Sequence, residues 1–424
     1  MGIIEDMILP MEFVVQKYGG TSVGSLDRIK LVADHVAATR AQGVNVVVVV
    51  SAMGEKTDEL IAMARTLSAD PPRREVDMLL TSGERVSMAL LSIALYERGL
   101  KSVSLTGSQS GILTDENHGN ARIEKILGDR IRRGLADDSI VIVAGFQGVS
   151  PKTKEVTTLG RGGSDLSAVA LASVLGAVRC ELYKDVEGVF TADPRIVPGA
   201  RKIDSLPWYA MTEMAWAGAE VLHARAAHVA SRFGLSVEIR SSFKTDLRGT
   251  IVKPTTETDI AMSIDKNGIE QAMVHTITCK HHMCMFEVEV AGDGAEDRAS
   301  KIHAGILEFL WHQGEAPGIN QRIGEMLRFM ISENSATALR AAFADGRMGA
   351  QPKSVHVNLA GTSAVAVIGN GFLQGPEKVN QALAAAQSVG RVLFWDIRNQ
   401  VLTIGVSDGE ATAVVNALHE ALVC

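Results

Sequence analysis

The chain has 424 residues and a formal net charge of −7, and hydrophobic residues make up 46% of it. This length is enough for two or three domains, and the acidic balance argues against general nucleic-acid binding. No apolar run reaches the length of a transmembrane helix, so we expect no membrane partner. Four cysteines are too few for a disulfide scaffold, which favours a reducing, cytoplasmic location.

The first half of the chain alternates predicted strands and helices. Residues 1–11 lack the features of a secretory signal, and we expect them to be an extension outside the fold. Residues 12–18 predict a strand, residues 25–42 a helix capped by Ser25, and the Val-rich run 44–50 a strand buried on both faces. Further strands are predicted at 101–106, 140–144, 180–186 and 236–240, and further helices at 75–98, 164–175 and 219–233. This alternation indicates an α/β domain with a mainly parallel sheet over residues 12–243.

The composition changes near residues 244–260, where Pro, Thr, Asp and Gly cluster, so we place a linker there. Beyond it the pattern predicts two small α+β units, at 261–345 and 346–424. The first is expected to hold strands at 273–278 and 285–290 and a helix at 297–312. The second is expected to hold strands at 363–368, 391–396 and 400–406 and helices at 376–388 and 409–422.

Chemically informative residues stand where several predicted strands end. In an open parallel sheet, ligands bind beyond the carboxyl ends of the strands, so this clustering points to a site. A glycine pair lets backbone amides approach a phosphate, with a lysine as a neighbouring point charge. Taken alone, the pair is explained at least as well by a turn beside a surface lysine. The residues at these strand ends are Lys17, Tyr18, Gly19, Gly20, Ser51, Lys184 and Asp185.

Residues 157–165 read Thr-Thr-Leu-Gly-Arg-Gly-Gly-Ser-Asp and lead into the predicted helix at 164–175. The glycines strip the loop of side chains, and the helix N-terminus presents free N–H groups and a positive dipole. Arg161 adds a planar, two-pronged donor. The pattern therefore predicts a loop that binds an anion, rather than a flexible loop with a solvated arginine.

Glu84 lies inside the predicted helix 75–98, and its neighbours one turn away, Leu80 and Met88, are apolar. Its carboxylate should therefore face inward, where it needs a partner. A substrate ammonium group and an internal arginine or lysine are equally acceptable partners at this point.

Eight blocks resemble aspartate kinases of the amino-acid kinase superfamily, in order and across residues 11–252. The resemblance implies a three-layer α/β sandwich that uses ATP and Mg²⁺, with the metal carried by ATP and no metal ligand from the protein. It implies phosphorylation of the L-aspartate side chain to 4-phospho-L-aspartate, which opens lysine and threonine biosynthesis or a dedicated branch. The blocks are KYGGTSVG, VVVVVSAMGEKTDEL, LLTSGERVS, FQGV, TTLGRGGSD, DVEGVFTADPRIVPGARK, GAEVLHAR and RSSF.

The resemblance also implies a role for each matching residue. Lys17 would bridge the transferred phosphoryl group, and Arg161 would bind the substrate α-carboxylate. Lys184 stands where many relatives carry Thr or Ser, which a cation beside ATP should tolerate. The implied catalytic residues are Lys17, Arg161 and Asp165. The implied substrate-binding residues are Ser51, Thr57, Glu84, Arg161, Gly162, Gly163 and Ser164. The implied ATP-binding residues are Lys17, Tyr18, Gly19, Gly20, Ser51, Ser164, Lys184, Asp185, Phe190 and Arg195.

The same resemblance implies paired ACT domains after residue 260, which in the family bind lysine or threonine and inhibit. The expected motifs are poorly kept here: Gln321 and Arg322 follow Asn320 where an acidic residue is expected, and the second turn reads Gly375-Pro376. We therefore expect weak feedback inhibition by lysine and threonine. The ACT-like units would serve as contacts in a homo-oligomer, and a small regulatory subunit is a further candidate partner.

Two alternatives stay open from the sequence. One is a kinase that acts on the carboxylate of another amino acid, and the other is a non-catalytic, amino-acid-sensing paralogue. The presence of Lys17, Glu84, Arg161 and Asp165 favours the enzyme, because an inactive copy has no physical reason to keep them together.

Overall fold

The computed structural model describes residues 12–255, 273–292, 294–373, 376–398 and 400–423. The predicted extension 1–11, the end of the predicted linker (256–260), the start of the first predicted ACT-like unit (261–272) and Gly375 lie outside the described residues.

The chain divides into two compact units. The first contains the residues through Val189, with Ile203–Trp208 and Val221–Pro254, and the second contains the remainder, including Phe190–Lys202 and Tyr209–Glu220. Those last two segments therefore group with the C-terminal part, although the predicted boundaries of 12–243 assign them to the first domain. The backbone explains the first case, because the carbonyl of Thr191 accepts a hydrogen bond from the N–H of Ile277 in the C-terminal sheet.

The first unit is built on an eight-stranded sheet in which every neighbouring pair is parallel except β11 and β12. Its order is β10-β12-β11-β9-β1-β2-β6-β3. A smaller sheet has the order β5-β4-β7-β8. The strands are β1 (Phe13–Tyr18), β2 (Asn45–Val50), β3 (Ser102–Leu105), β4 (Ile112–Thr114), β5 (Ile123–Ile126), β6 (Ile140–Ala144), β7 (Gln147–Val149), β8 (Val156–Thr158), β9 (Arg179–Lys184), β10 (Ser205–Pro207), β11 (Val237–Ser241) and β12 (Thr250–Lys253).

Helices cover both faces of the large sheet, which confirms the predicted three-layer α/β sandwich. Val48 and Ile142 pack under α1 and α3 on one face, whereas α6 packs on β1, β2 and β9. Burial on both faces is the reason that β2 reads as an unbroken run of Val. The helices of the first unit are α1 (Leu26–Ala41), α2 (Lys56–Leu67), α3 (Arg73–Tyr96), α4 (Gly107–Ser110), α5 (Asp129–Ala136), α6 (Gly163–Leu175) and α8 (Ala224–Phe233), and the intervening α7 (Trp208–Trp216) groups with the second unit from Tyr209 onward. The predicted Ser25 cap is confirmed, since its hydroxyl accepts the N–H of Arg28.

The longest of these helices, α3, is apolar enough to cross a membrane by length and composition, and 44% of its most apolar window is buried inside the fold. The prediction that no segment reaches this length was therefore wrong. Asp77 and Glu84 are buried within α3 and bind other parts of the first unit. These contacts mark α3 as a core helix of this unit.

The second unit contains a six-stranded antiparallel sheet of order β14-β15-β13-β16-β18-β17, as the predicted ACT-like region requires. Among the described residues, α7 and four later helices belong to this unit. Its elements are β13 (Met273–Glu289), α9 (Ala295–His312), β14 (Asn320–Ile323), β15 (Met326–Ser332), α10 (Glu333–Ala344), β16 (Ser354–Asn370), α11 (Pro376–Val389), β17 (Phe394–Arg398), β18 (Val401–Ser407) and α12 (Ala411–Leu422).

The prediction of two separate strands at 273–278 and 285–290 was wrong, because β13 is continuous through the segment between them. The register shifts between Lys280 and Met283, and His282 adopts a positive φ of 55°, so a bulge absorbs the irregular stretch. The bulge leaves Lys280 opposite Ala364 and Met283 opposite Thr362. Both side chains therefore lie on the sheet face that carries Ala364, opposite the face that carries Val365 and Phe286.

Candidate active site

Three charged side chains of the first unit meet at the carboxyl ends of β1 and β9. Lys17 Nζ lies 2.6 Å from one carboxylate oxygen of Asp165, and Lys184 Nζ lies 2.6 Å from the other. Lys17 and Asp165 are 5% and 2% exposed. Burial alone would raise the pKa of Asp165, but the two lysine charges outweigh it and hold that pKa well below its ordinary value. The carboxylate is therefore ionised, and the cluster keeps one positive charge in excess.

The loop that leads into α6 depends on glycines for its shape. Gly160 and Gly162 have φ values of 79° and 67°, a region that other residues rarely adopt. A Cβ on Gly145, after β6, would lie 2.8 Å from Cβ of Ser164, so this glycine lets α6 approach the strand ends. The N-terminus of α6, with its unpaired N–H groups, consequently lies beside the two lysines.

The loops after β1 and β2 are held together by their backbones. The N–H of Gly54 donates to the carbonyl of Gly20, and the N–H of Ser51 donates to that of Tyr18. A Cβ on Gly20 would lie 2.9 Å from the carbonyl oxygen of Gly54, closer than side-chain atoms normally come. Gly20 is therefore required for packing between the loops, whereas a Cβ on Gly19 would lie 3.6 Å from Lys17 Nζ, at ordinary contact distance.

The end of β2 connects the lysine cluster to Glu84. Ser51 Oγ donates to Ser164 Oγ at 2.8 Å, and the N–H of Ala52 donates to Glu84 Oε1 at 3.1 Å. A Cβ on Gly83 would lie 2.8 Å from Cβ of Ala52, so this glycine allows α3 to come so near. A continuous line of contacts thus runs from Glu84 to Asp165 within one unit.

Glu84 is 3% exposed, and its Oε2 is buried with no hydrogen-bond partner among the residues that the structure describes. Burial raises the pKa of this carboxyl to about 7, although the N–H of Ala52 lowers it in part. Of the two partners left open by the sequence, the internal arginine or lysine is absent from the described chain. The second oxygen is thus available to a ligand.

His223, at the N-cap position of α8, also lies beside the site. The sequence did not predict this proximity. A Cβ on Gly162 would lie 2.5 Å from its Cβ and Cγ atoms, so the imidazole packs directly on the loop before α6. Burial and then the charge of Arg225 lower the pKa of His223. Its Nδ1 is buried without a hydrogen-bond partner in the described part of the chain.

Several predicted site residues have side chains that do not contact the lysine cluster. Tyr18 stacks on Tyr183 on the opposite face of the sheet, because side chains alternate along β1, and only its carbonyl reaches Ser51. Arg161 and Asp185 are exposed, and they are close to the cluster along the chain: Asp185 follows Lys184, and Arg161 precedes the helix that carries Asp165. Thr57 lies in the first turn of α2. Phe190 and Arg195 belong to the second unit, so their role at the nucleotide stays a prediction.

The arrangement fits a bound polyphosphate. Two lysines, a helix N-terminus and loops without side chains provide cationic and N–H groups around an open space. Asp165 already has both oxygens bonded to lysines, so it is a poor ligand for Mg²⁺. Within the described residues, no group of three His, Cys, Asp or Glu side chains could hold a metal ion.

The contact between Gly162 and His223 predicts a specific loss of stability. Gly162→Ala adds both left-handed strain and a clash with the imidazole, whereas Gly43→Ala adds only strain, because nothing lies within 4 Å of its Cβ position. Gly43→Ala should cost about 1 kcal/mol, and Gly162→Ala clearly more, in urea unfolding of the full chain. His223→Gly, which removes both the Cβ and the imidazole, should recover the difference in the double variant when its own cost is subtracted. Equal losses in the two glycine variants would contradict the packing described.

Comparisons with known proteins agree with this architecture. A model of the amino acid kinase family matches residues 12–241. The aspartokinase of Geobacillus stearothermophilus is 56% identical over 243 residues, which cover 57% of this chain and 59% of that protein. The aspartokinase of Mycolicibacterium smegmatis is 52% identical over 252 residues, 59% of each chain. The matched part thus spans about three fifths of these curated relatives.

Solved structures extend the likeness to the C-terminal part. E. coli aspartokinase III, in complex with aspartate and ADP, superposes with a TM-score of 0.80 at 22% identity, over 97% of this chain and 100% of that one. Aspartate kinase from Synechocystis matches with a TM-score of 0.53 at 32% identity, over 97% of this chain and 70% of that one. The first likeness concerns the fold alone. Together with the family match over more than half of its length, these findings establish that the chain belongs to the amino acid kinase family.

Proposed function

We propose that the chain is an ATP-dependent aspartate kinase. It would transfer the γ-phosphoryl group of ATP to the side-chain carboxylate of L-aspartate and release 4-phospho-L-aspartate and ADP. The observation that carries this proposal is a line of contacts with an unpartnered carboxylate oxygen at one end and two lysines that share one carboxylate at the other. Glu84 provides the first and the Lys17–Asp165–Lys184 cluster the second. The aspartokinases at 52–56% identity support the choice of aspartate.

The mechanism follows from the repulsion between two anions. The acceptor carboxylate and the triphosphate must come together, and the excess positive charge between Lys17 and Lys184 offsets their repulsion. Lys17 is 5% exposed, and this burial lowers its pKa. Its interaction with a phosphoryl oxygen would therefore be weakly screened by water. A carboxylate oxygen then attacks the γ-phosphorus, and ADP leaves with the electron pair. The acceptor is already ionised, so no general base is needed.

Recognition of the amino acid would use the Glu84 end of the site. The unpaired Oε2 of Glu84 is a natural acceptor for the substrate ammonium group, since a buried carboxylate is stable when ionised only beside a cation. Arg161, whose exposed side chain lies next to the α6 N-terminus, would bind the α-carboxylate. Ser51 and Ser164, bonded to each other, would stand between amino acid and phosphates.

Mg²⁺ would be held by the triphosphate rather than by the protein, and would neutralise charge on the transferring group. Its binding needs no carboxylate from this chain, since Asp165 is committed to the two lysines. Asp185 and the exposed loop around it remain the predicted border of the nucleotide. We place the enzyme in the cytoplasm, at the start of aspartate-derived amino-acid biosynthesis or of a branch dedicated to another product.

We further propose that copies of the chain associate through their C-terminal sheets. The edge strands β14 and β17 offer backbone groups for pairing, and Trp395 on β17 is 53% exposed. A separate small regulatory subunit could use the same edges.

The central test is ATP consumption with L-aspartate, with the acyl phosphate trapped by hydroxylamine. Lys17→Ala should lower turnover by several orders of magnitude, because an important electrostatic contact to the transferring group is lost. The fold should survive, since Asp165 keeps Lys184 as a partner. Lys30→Ala, which removes an exposed lysine of α1, should leave turnover unchanged. Glutamate and N-acetylglutamate complete the panel: hydroxamate formed from one of them, and not from aspartate, would refute aspartate as the acceptor.

The raised pKa of Glu84 gives a pH signature. The value of kcat/KM for aspartate should fall as the pH drops below about 7, because Glu84 becomes protonated and loses its attraction for the ammonium group. Glu84→Gln should lower kcat/KM about ten- to a hundredfold and remove this acidic limb. If kcat/KM of the Glu84→Gln variant still falls below pH 7, a group other than Glu84 is responsible for the pH dependence.

Glu84→Gln should also change stability in a defined pH window. The folded state holds the proton of Glu84 up to about pH 7, whereas the unfolded chain releases it near 4.5. Unfolding therefore releases a proton in this window, and stability falls as the pH rises through it. Above the window, the variant should gain up to about 3 kcal/mol relative to the parent.

Feedback control should be weak. The Oδ1 of Asn320, in the poorly kept motif, is already bonded to His303 Nε2 on α9 at 2.7 Å, and the acidic residue expected beside it is absent. Activity in millimolar lysine plus threonine should therefore stay close to that without them. Strong synergistic inhibition of the aspartate-dependent reaction would contradict this proposal.

A further inference from the structure

A cavity of about 280 Å³ lies in the second unit, on the face of the antiparallel sheet opposite α9–α12. Alternation along β16 directs Val365 and Val367 to the helix side and Ala364 and Ala366 to the cavity. The other side of the cavity is formed by α7, through Glu213, Trp216 and Ala217. We call it the α7 cavity.

The α7 segment is fixed on the sheet at both ends. The Tyr209 hydroxyl lies 2.6 Å from His275 Nε2 on β13. Beyond the other end of the helix, a Cβ on Gly218, which has a φ of 98°, would lie 3.1 Å from Cβ of Lys280. The cavity is thus bounded by the sheet on one side and by an anchored helix on the other, and residues 316–318 contribute to its rim.

Small side chains create the space. Ala364 lies opposite Lys280, and Ala366 lies opposite Thr403, so that three neighbouring strands present short side chains or a flexible lysine at the centre. Met283 and Met330, 2% and 0% exposed, supply an apolar floor that adapts to the shape of a ligand. The β13 bulge between Lys280 and Met283 directs both side chains into this space.

The charges around the cavity do not balance. Lys280 is 3.3 Å from Glu315, whose oxygens also accept hydrogen bonds from Ser332 and Ser335. Arg398 is bonded to Asp396 at 2.8 Å. Each cation therefore has a carboxylate of its own.

Glu213 remains without a counterpart. It lines the cavity half-buried, and it has no hydrogen bond or ion pair with any described residue. Burial raises the pKa of Glu213, and the charge of Arg398 offsets this only in part. One carboxylate is thus in excess at an apolar cavity.

We propose that the α7 cavity binds a small organic ammonium ion with a branched aliphatic body. Glu213 accepts its N–H groups, the face of Trp216 attracts the same charge, and the methionine floor receives the hydrocarbon. The volume is below that of sites for drug-sized ligands, so the ligand is the size of a single metabolite. Amines and amino acids share this chemistry. The proposal is independent of the phosphoryl-transfer reaction.

Three probes of one skeleton separate the possible sources, and calorimetric titration of the full chain measures their binding. Isopentylamine carries only the ammonium group, L-leucine carries ammonium and carboxylate, and 4-methylpentanoate carries only the carboxylate. We expect isopentylamine to bind and 4-methylpentanoate not to bind. Binding of leucine in addition to the amine extends the ligand class to amino acids, and exclusion of leucine restricts it to amines. No binding of either ammonium probe at millimolar concentration, or equal binding of the acid, overturns the proposal.

Two variants locate the site. Glu213→Gln should weaken binding of isopentylamine at least tenfold, whereas Glu377→Gln, which removes an exposed carboxylate of α11, should leave it unchanged. Ala366→Leu should fill the cavity and abolish binding of every probe, with circular dichroism to check that the variant is folded. Unchanged affinity in Glu213→Gln overturns the assignment, and so does unchanged affinity in a folded Ala366→Leu variant.

Discussion

One carboxylate shared by two lysines is the constraint on which the rest of the first unit depends. Asp165 binds Lys17 through one oxygen and Lys184 through the other, and the three groups come from α6, β1 and β9. A buried charge without a partner is strongly destabilising, so this triad fixes the position of the helix relative to both strands. The glycines of the surrounding loops can be understood from this requirement. Gly145, for example, permits the approach of α6 that brings Asp165 within reach of β1.

Lys184 changes the charge balance of the site. With a single lysine, the carboxylate of Asp165 would compensate the charge of Lys17 almost completely. With two lysines, each receives one oxygen, and a net positive charge remains at a site where water is scarce. Lys184 is also the more exposed of the two, at 15% of its side chain against 6% for Lys17. An incoming phosphate can therefore attract Lys184 without leaving Asp165 unpaired.

Local periodicity predicted most of the elements, and the strand-end rule predicted where the site lies. The Val run of β2, the Ser25 cap and the inward position of Glu84 follow from neighbours within one or two turns, which sequence displays directly. Alternation along β1 could also have shown that Tyr18 faces away from Lys17, since the two residues are adjacent.

Contacts between distant segments could not be predicted in this way. The packing of His223 on Gly162 joins residues from two different helix starts, and no local pattern encodes it. The sharing of Asp165 is likewise invisible until β1, β9 and α6 are assembled. In the second unit, the prediction of two separate strands was wrong because of the β13 bulge. The sequence around Lys280 indicates a break between strands, but the strand continues through it. The grouping of Phe190–Lys202 with the C-terminal sheet rests on contacts along the segment, among them the carbonyl of Thr191 and the buried side chains of Ala192 and Val197.

The two ends of the candidate active site are electrostatically opposite, and each is unstable without the ligand that it suits. At one end, Glu84 is only partly ionised near pH 7, because burial penalises its charge. An ammonium group that reaches Oε2 would favour the ionised form, so binding of the amino acid and release of a proton are coupled. At the other end, the lysine pair has more positive charge than Asp165 can neutralise. A molecule that carries an ammonium group and a carboxylate, placed against a phosphate, would satisfy both ends at once, which neither phosphate nor amine alone can do.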